Sequence, residues 1–457
     1  MFALARLCLS FSPYHCPLAT FTPNPSVKLR NSTLQLPPEL WFEIFQFATY
    51  IHREATIVPL DPFARKRIST NVMATNCPLL ALSTRISLVS VCHMWRDIAL
   101  PLLYRYVAIR SPSRANALLH VLRSSCRPSG GNGAASHCYG HWTRHIEIYT
   151  HARGAQSLQY LQTLFQVLRF CPNLRVLTGA WNHDLPPEFL NGISRLFGQS
   201  LEHLSWNEPR SHSTELEDNT IVSARFFGTF RNLRVLDLRN VIGSDPEQYE
   251  KDPPSLMPAV QDLILSTHSR SLKMATVLLL PSLRNVTLRT LVHGSVPSDL
   301  VKAFLKVHGA SLANVDLPCP TQDLDSDLDY TSSRHRVDHI NPDLFLESGA
   351  CPNLLSFSYP VTSPAPSISV HNTLRRIGLR AVRADALYPD KGTETKAHLL
   401  AITPARFPSL ETVCTVGFLV EADMDSLVRD VFIWWVERFE KLGIDFLDGE
   451  GVLWTYY

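Results

Sequence analysis

Potential metal ligands cluster between positions 126 and 145 of the 457-residue chain. They are Cys126, His137, Cys138, His141 and His145. Imidazole and thiolate groups at such spacings are zinc ligands in many proteins, and Cys126 would complete a four-ligand site. The stretch 124–140 is rich in glycine and serine, as flexible linkers are. We therefore favour a linker with scattered histidines over a metal site.

Alternating acidic residues form a second group suited to binding a cation. They are Asp323, Asp325, Asp327 and Asp329. A calcium-binding loop of the EF-hand type needs glycine at its sixth position and glutamate at its twelfth, but these positions hold Leu328 and Arg334. A solvated loop is the better interpretation, and we predict no metal and no cofactor.

The sequence contains no catalytic motif. A glycine-rich phosphate loop, a His-Glu-x-x-His zinc helix and a Gly-x-Ser-x-Gly elbow are all missing. Cys92 and His93 are adjacent, and on a predicted helix their side chains diverge by about 100°, which prevents a nucleophile–base pair. We therefore predict that the protein is not an enzyme.

Composition argues against several other classes of function. The chain has 43 Lys and Arg against 41 Asp and Glu, and no segment concentrates the positive charge that nucleic acids attract. It has no apolar run of about 18 residues, so we predict no membrane span. The 10 cysteines include no Cys-x-x-Cys pair, which favours reduced thiols in the cytoplasm or nucleus.

Two segments near the N-terminus have the periodicity of amphipathic helices. The first is LPPELWFEIF, which starts at Leu36 and predicts a helix of about 14 residues after its two prolines. The second is LVSVCHMWRDIALPLLY, which starts at Leu88 and has an apolar stripe as far as Ala99. Pro101 is predicted to begin a new short helix.

Together these segments resemble the F-box, a three-helix motif with the pattern Leu-Pro, an apolar helix and then Val-Cys-x-x-Trp. In that family the motif binds a Skp-type adaptor, which in turn joins a cullin-based ubiquitin ligase. The residues at adaptor-facing positions are Leu36, Pro37, Ile44, Val91, Cys92 and Trp95. The connection between the segments, about 50–87, is longer than in the family, and we interpret the surplus as a surface insertion.

From about residue 170, the phrase Leu-x-x-Leu-x-Leu or a close apolar substitute recurs. Its nine copies start at Leu174, Leu201, Leu233, Val260, Leu283, Leu312, Leu354, Leu374 and Leu410. The pattern is typical of leucine-rich repeats with insertions. It lacks the asparagine that the family has three positions after the last leucine, where Val241 and Leu291 stand. Turn hydrogen bonding must therefore differ.

The phrase predicts a short strand in each repeat. Its fourth and sixth residues point to one side, where stacked parallel strands bury them, and its third, fifth and seventh residues point to the other. Four arginines at these outward positions are candidates for binding an acidic or phosphorylated partner as a basic strip. They are Arg239, Arg289, Arg376 and Arg380.

The expected fold is an α/β leucine-rich-repeat solenoid with a parallel, concave β face, preceded by a small all-α F-box unit. Five parts are predicted along the chain. They are a disordered or leader segment (1–33), the F-box with its insertion (34–106), a linker and first solenoid element (107–140), the repeat array (141–422) and a C-terminal cap (423–457). The cap should contain a helix over 425–442 and a final hairpin over 444–454.

These expectations imply a substrate-recognition adaptor of a cullin-type ubiquitin ligase. The F-box would bind the Skp-type adaptor and the repeats would bind a protein substrate. The alternative is a repeat-protein scaffold that works without the ligase, which is favoured if the long insertion blocks docking. Neither function involves nucleic acid or a membrane.

Overall fold

A computed structural model describes the chain between Leu36 and Thr455, with gaps. The described residues are 36–51, 57, 59, 61–63, 78–126, 138–150, 156–181, 185–208, 223–240, 255–290, 296–319, 339–347, 349–368, 370–388, 393–420 and 424–455. The predicted leader, 1–33, and the alternating acids, 323–329, lie outside them.

Helices and strands alternate along most of the described chain. The helices are α1 (Pro38–Ala48), α2 (Pro78–Val91), α3 (His93–Arg105), α4 (Pro112–Ser125), α5 (Gln156–Arg169), α6 (Pro187–Phe197), α7 (Ala224–Phe227), α8 (Ser269–Val277), α9 (Ser298–His308), α10 (Asp343–Leu346), α11 (Glu394–Ala401) and α12 (Ser426–Glu440). The strands are β1 (Tyr106–Ile109), β2 (His145–Tyr149), β3 (Val176–Ala180), β4 (His203–Asn207), β5 (Val235–Asn240), β6 (Ser255–Leu256), β7 (Asp262–Ser266), β8 (Leu278–Leu279), β9 (Asn285–Arg289), β10 (Asn314–Asp316), β11 (Ser356–Pro360), β12 (Arg376–Arg380), β13 (Thr412–Val416) and β14 (Asp445–Leu447).

Twelve of the strands form one parallel sheet, in the order β1-β2-β3-β4-β5-β7-β9-β10-β11-β12-β13-β14. β6 and β8 form a separate parallel pair. Because each strand of the large sheet is added beside its predecessor in the sequence, β1 and β14 are the two edges and the sheet does not close into a barrel. The architecture is therefore an open α/β fold with a parallel sheet.

One apolar side chain from each strand forms a continuous row through the large sheet. From β2 to β14, the row consists of Ile146, Leu177, Leu204, Leu236, Leu263, Val286, Val315, Phe357, Ile377, Val413 and Phe446. It includes the fourth residue of all nine predicted phrases, and these residues are at most 2% exposed. Each such side chain stabilises the fold by roughly 1.5–3 kcal/mol on burial. The predicted inward positions are confirmed.

Asparagines that precede the strands connect successive turns. Asn173 Nδ2 donates to the carbonyl oxygen of His141 at 2.9 Å. Asn353 makes the equivalent bond to Ala310 at 2.8 Å. In each case the donor lies just before one strand and the acceptor just before the preceding strand of the sheet. These bonds satisfy backbone carbonyl groups between neighbouring strands.

The first three helices pack around a small core of their own, formed by Phe45, Ala99 and Leu102. On α3, Leu100 and Tyr104 belong instead to the main core of the sheet. α3 also continues directly into β1. Because one helix contributes to both cores, the helical unit of α1, α2 and α3 is fixed to the sheet.

The boundary between α2 and α3 falls at Cys92 and not at Pro101. Cys92 has an extended backbone (φ −157°, ψ 171°), and its Sγ accepts a weak hydrogen bond from the Trp95 N–H at 3.5 Å, which caps α3. Pro101 lies inside α3. The single apolar stripe predicted from Leu88 to Ala99 is therefore wrong, because these residues belong to two helices separated at Cys92.

The insertion between the two F-box-like segments is shorter than predicted, because α2 already begins at Pro78. Arg85, within the predicted insertion 50–87, is buried, and its Nη2 donates to the carbonyl oxygen of Thr49 at 2.9 Å. Thr49 directly follows α1, where the helix dipole favours a positive charge. Residues 78–87 thus hold α2 against α1.

The sheet begins before residue 141, within the stretch 107–140 that was predicted to hold a linker and the first solenoid element. β1 pairs in register with β2, and α4 follows β1, so residues 106–125 contain a strand and a helix of the α/β fold. The sequences of these strands, YVAI and HIEIY, lack the leucine phrase. The repeat signal is therefore missing from the first two strands.

The C-terminal helix is present, but the predicted final hairpin is not. Gly443 ends the α12 region with φ 73°. β14 pairs parallel with β13, and residues 451–455 form no strand. The Asp448 carboxylate accepts the backbone N–H of Glu450 at 3.0 Å and of Val452 at 2.9 Å. It thus binds the backbone groups that a second strand would have paired.

Cys126 and Cys138, 12 positions apart, are joined by a disulfide. The prediction that the cysteines are reduced is wrong for this pair, because Cys126, at the end of α4, lies with its Cα atom 4.5 Å from that of Cys138. The free cysteines among the described residues are Cys92, Cys171, Cys319, Cys351 and Cys414. None of the described helices is long and apolar enough to span a membrane.

Candidate functional site

The helical unit exposes an unusual number of large apolar side chains. They are Leu36, Leu40, Ile44, Phe47, Tyr50, Leu79, Leu80, Val91 and Met94. On α1, positions 40, 44 and 47 have helical spacing and form one stripe, in which Phe47 is 77% exposed. Exposed apolar residues in such numbers on a small unit indicate a protein interaction surface.

Five of the six residues predicted to face an adaptor lie at the surface of this unit. Leu36, Pro37, Ile44, Val91 and Cys92 are exposed, with Val91 at 60%. The structure therefore places them where a partner can reach them. Phe47, Leu79 and Met94 are exposed as well and were missed, although the spacing of Phe47 on the α1 stripe was a usable signal.

The sixth predicted residue, Trp95, is half-buried and packs inside the helical unit. Its ring centroid lies 5.0 Å from that of Trp41 and 4.9 Å from that of Phe45. Phe45 is 1% exposed. Trp95 therefore supports the exposed stripe from beneath, and its substitution would disturb the fold of the unit together with any docking.

The second candidate surface is the polar face of the sheet, on the side opposite the apolar row. Its first row, at the start of the strands, includes Asp262, Asn285, Asn314, Ser356 and Arg376. Its second row, two residues later, includes Ser205, Asp237, Thr287, Asp316, Ser358 and Gly378. Amide side chains connect the first row, since Asn285 Nδ2 donates to Asp262 Oδ1 and Asn314 Nδ2 to Asn285 Oδ1, both at 2.7 Å.

Two of the four arginines predicted to bind an acidic partner already have ion-pair partners. Arg239 Nη2 lies 2.7 Å from Asp237 Oδ2, and Arg380 Nε lies 3.0 Å from Asp316 Oδ1. Both arginine side chains are at most 12% exposed. The predicted strip of available positive charge is therefore wrong for these two, because carboxylates of the same face neutralise them.

The other two arginines do not complete a strip. Arg376 is the first residue of β12 and Arg380 is the last, so they lie at opposite ends of the strand. Arg376 Nε donates to Ser356 Oγ at 2.8 Å. Arg289 ends β9, where it is in register with Ser266. The four side chains are thus distributed over both ends of the strands.

Burial acts on two carboxyl groups of the polar face with different outcomes. Burial by itself raises the pKa of Asp237, but the Arg239 guanidinium and its hydrogen bonds outweigh this effect and hold the pKa below its usual range. Asp262 has the neutral Asn285 amide as its hydrogen-bond donor, and burial raises its pKa. The first carboxyl group therefore stays ionised, whereas the second is easier to protonate than in water.

Part of the segment between α1 and α2 lies on the polar face. We name residues 57–63 the crossing segment, of which 57, 59 and 61–63 are described. Its Ile57 carbonyl oxygen lies 3.1 Å from His203 Nδ1 of β4. Its Phe63 ring lies 5.0 Å from the Arg376 guanidinium of β12. The described residues of the crossing segment are therefore not a free surface loop, and no local sequence pattern signals these long-range contacts.

The residues considered as zinc ligands do not come together as a site in the described part of the chain. His137 lies outside the described residues, and Cys126 and Cys138 are bonded to each other. His145 is buried on β2, where Thr178 Oγ1 lies 3.4 Å from its Nε2. No group of three or more potential ligands occurs among the residues that the structure describes.

No protein-family model matches the chain, and no curated protein matches its sequence.

Proposed function

We propose that the chain is an F-box protein that acts as the substrate-recognition adaptor of a cullin-type (SCF) ubiquitin ligase. In this proposal α1, α2 and α3 bind a Skp-type adaptor. The sheet and its helices form an irregular leucine-rich-repeat solenoid that binds a protein substrate. The location would be the cytoplasm or nucleus, and the Cys126–Cys138 disulfide is the one observation that speaks against a reducing compartment.

The observation that carries the proposal is the exposed apolar stripe of the helical unit. Ile44 and Val91, at adaptor-facing positions of the F-box pattern, are 45% and 60% exposed, whereas Phe45 beside them is buried. A unit of three helices that has its own packed core and still exposes leucine, isoleucine and phenylalanine side chains is suited to bind a second protein.

The fixed attachment of this unit to the sheet supports the same function. α3 contributes side chains to both the small and the main core. A substrate bound to the array would therefore be held in a defined position relative to the bound adaptor. Such an arrangement suits a protein that presents a substrate to a separate catalytic subunit.

Co-purification with a Skp-type adaptor tests the proposal. We expect wild type to bind and an Ile44→Asp/Val91→Asp variant to lose binding by at least about 30-fold, because central apolar contacts each contribute roughly 2 kcal/mol. Both residues are exposed, so the fold should persist. The matched control is Leu427→Asp, at an exposed leucine of α12, which should bind as wild type does.

Equal binding by the double variant and the control would show that the stripe does not dock the adaptor. Failure of wild type to bind at all would favour the ligase-independent scaffold.

A further inference from the structure

The contacts of the crossing segment point to a binding groove on the polar face. Phe63 packs against β12 at Gly378, where a Cβ atom would come within 3.1 Å of Phe63 Cζ. The in-register neighbours of Gly378 on the adjacent strands are Ser358 and Cys414, which do carry side chains. The missing side chain at 378 therefore leaves a narrow notch between the Ser358 and Val416 side chains, which a Cβ atom would meet at 2.8 and 2.9 Å, and the Phe63 ring lies against it.

The notch has chemistry suited to an aromatic residue. The Arg376 guanidinium lies over the Phe63 ring at 5.0 Å from its centroid, a distance at which a cation and a ring attract each other. Arg376 is held in this orientation by its hydrogen bond to Ser356. An aromatic side chain from any extended peptide would meet the same guanidinium and the same bare backbone.

The rest of the groove has polar side chains that suit an extended backbone. His203 Nδ1 is within hydrogen-bond distance of the Ile57 carbonyl oxygen. Asp262, Asn285 and Asn314 line one cavity together with Pro59 and residues 61–63. These amides and this carboxyl group contain donors and acceptors for peptide N–H and C=O groups.

The crossing segment does not fill the groove. A cavity of about 190 Å³ remains beside Phe63, against Thr412 and Cys414. A second cavity of about 150 Å³ remains under the segment, against Asn285 and Asn314. Each has room for several water molecules. A partner peptide that fills these cavities would make more contacts with the groove than the crossing segment does.

The ends of the insertion also permit replacement. The insertion starts after α1 and ends before α2, and both helices belong to the helical unit. None of the described residues of the segment lies in a helix or pairs with a strand of the large sheet, so its release would break no such element among the described residues. Its tether keeps it at a high local concentration, on the order of millimolar, so it competes with partners even if its intrinsic affinity is low.

We propose that the polar face from β4 to β13 binds an extended, proline-containing partner peptide whose aromatic residue enters the Arg376–Gly378 notch. The described residues of the crossing segment, 57, 59 and 61–63, occupy this groove within the same chain until such a partner displaces them. The inference rests on the part of the proposed function that assigns partner binding to the array, and it does not require adaptor docking.

The test uses a fluorescein-labelled synthetic peptide of residues 55–66 and fluorescence anisotropy with the full chain. Phe63→Ala should weaken the internal occupant and open the groove. We expect the peptide to bind the Phe63→Ala chain at least about tenfold more tightly than wild type. A peptide with alanine in place of its phenylalanine should bind neither chain. Adding Arg376→Ala to the Phe63→Ala chain should weaken binding of the unaltered peptide about fivefold or more.

Three outcomes would overturn the proposal. The peptide could bind wild type and Phe63→Ala with equal affinity, it could bind as well without its phenylalanine, or it could bind none of the chains. A second measurement does not depend on the variants. Saturating peptide should accelerate chymotryptic cleavage of wild type after Phe63, whose ring is packed against Gly378 and Arg376, and an unchanged rate would contradict displacement. The Phe63→Ala chain should still co-purify with the Skp-type adaptor, which separates this test from that of the proposed function.

Discussion

The replacement Arg239→Met tests whether ion pairs on the polar face are structural. Arg239 makes its 2.7 Å contact to Asp237 with side chains that are only 12% and 4% exposed. Asp237 accepts further hydrogen bonds from the Arg239 backbone N–H at 3.1 Å and from Ser205 Oγ at 3.2 Å. Methionine keeps most of the volume of the arginine side chain and removes its charge. The substitution thus leaves a buried carboxylate without its cation.

The expected cost is about 3–5 kcal/mol in the free energy of unfolding at neutral pH, the usual penalty for breaking a buried pair from one side. The matched control is Arg383→Met. Arg383 Nε lies 3.1 Å from Asp385 Oδ1 with the same sequence spacing, but those side chains are 71% and 60% exposed. Loss of such a surface pair should cost less than about 1 kcal/mol.

The pH dependence of the difference identifies the cause. In wild type, the pKa of Asp237 is below its unfolded value of about 3.9, so its stabilising contribution is present above that pH and is lost as pH falls through the folded pKa. Without Arg239, burial is the dominant influence and raises the pKa. The carboxyl group of the variant then destabilises the fold as pH rises. The gap between wild type and variant should therefore narrow from about pH 7 to about pH 4.5.

Urea unfolding followed by tryptophan fluorescence gives the free energies at both pH values. Adding Asp237→Asn to Arg239→Met should restore part of the loss, because the uncompensated charge is removed. Equal costs for Arg239→Met and Arg383→Met, or a gap that does not change with pH, would refute the assignment of a buried ion pair.

Two further predictions concern one carboxyl group and the disulfide. Asp262→Asn keeps an oxygen acceptor for Asn285 and removes a charge that burial disfavours. Because burial raises the pKa of Asp262 in the folded state, wild type loses stability as pH rises, so thermal melts should show a higher Tm for the variant at neutral pH and no difference below about pH 4. Cys126→Ser/Cys138→Ser opens a loop of 12 positions and should lower the free energy of unfolding by up to about 3 kcal/mol; non-reducing peptide mass spectrometry of wild type should show the cross-link, and its absence would contradict the pairing.

The sheet was predictable from sequence wherever a strand carries the leucine phrase. The fourth position of each phrase holds leucine, isoleucine, valine or phenylalanine, and parallel strands that stack in register bury these side chains in one shared row. β1 and β2 were missed because their sequences contain other residues, including a glutamate at position 147. The hairpin prediction failed at Asp448, since a sequence pattern does not reveal that one carboxylate binds several backbone N–H groups.

The surfaces were less predictable than the core because they depend on pairs of residues that are distant in sequence. The Arg380–Asp316 pair joins two strands separated by β11, and nothing near Arg380 in the sequence signals it. Asp237 and Arg239 were a recoverable case, because residues two apart on a strand share a face. The contact of Phe63 with Gly378 had no sequence signal beyond a glycine inside a strand.

The position of the crossing segment has a consequence for the order in which a new molecule is completed. Arg376 follows Phe63 by 313 positions, so the ribosome needs on the order of tens of seconds to make one after the other. Each strand of the large sheet can pair with its predecessor as soon as it is made, whereas the segment must wait for β12. Its docking is therefore among the last events of folding. During that time every new chain carries the segment without the Arg376–Gly378 part of its groove.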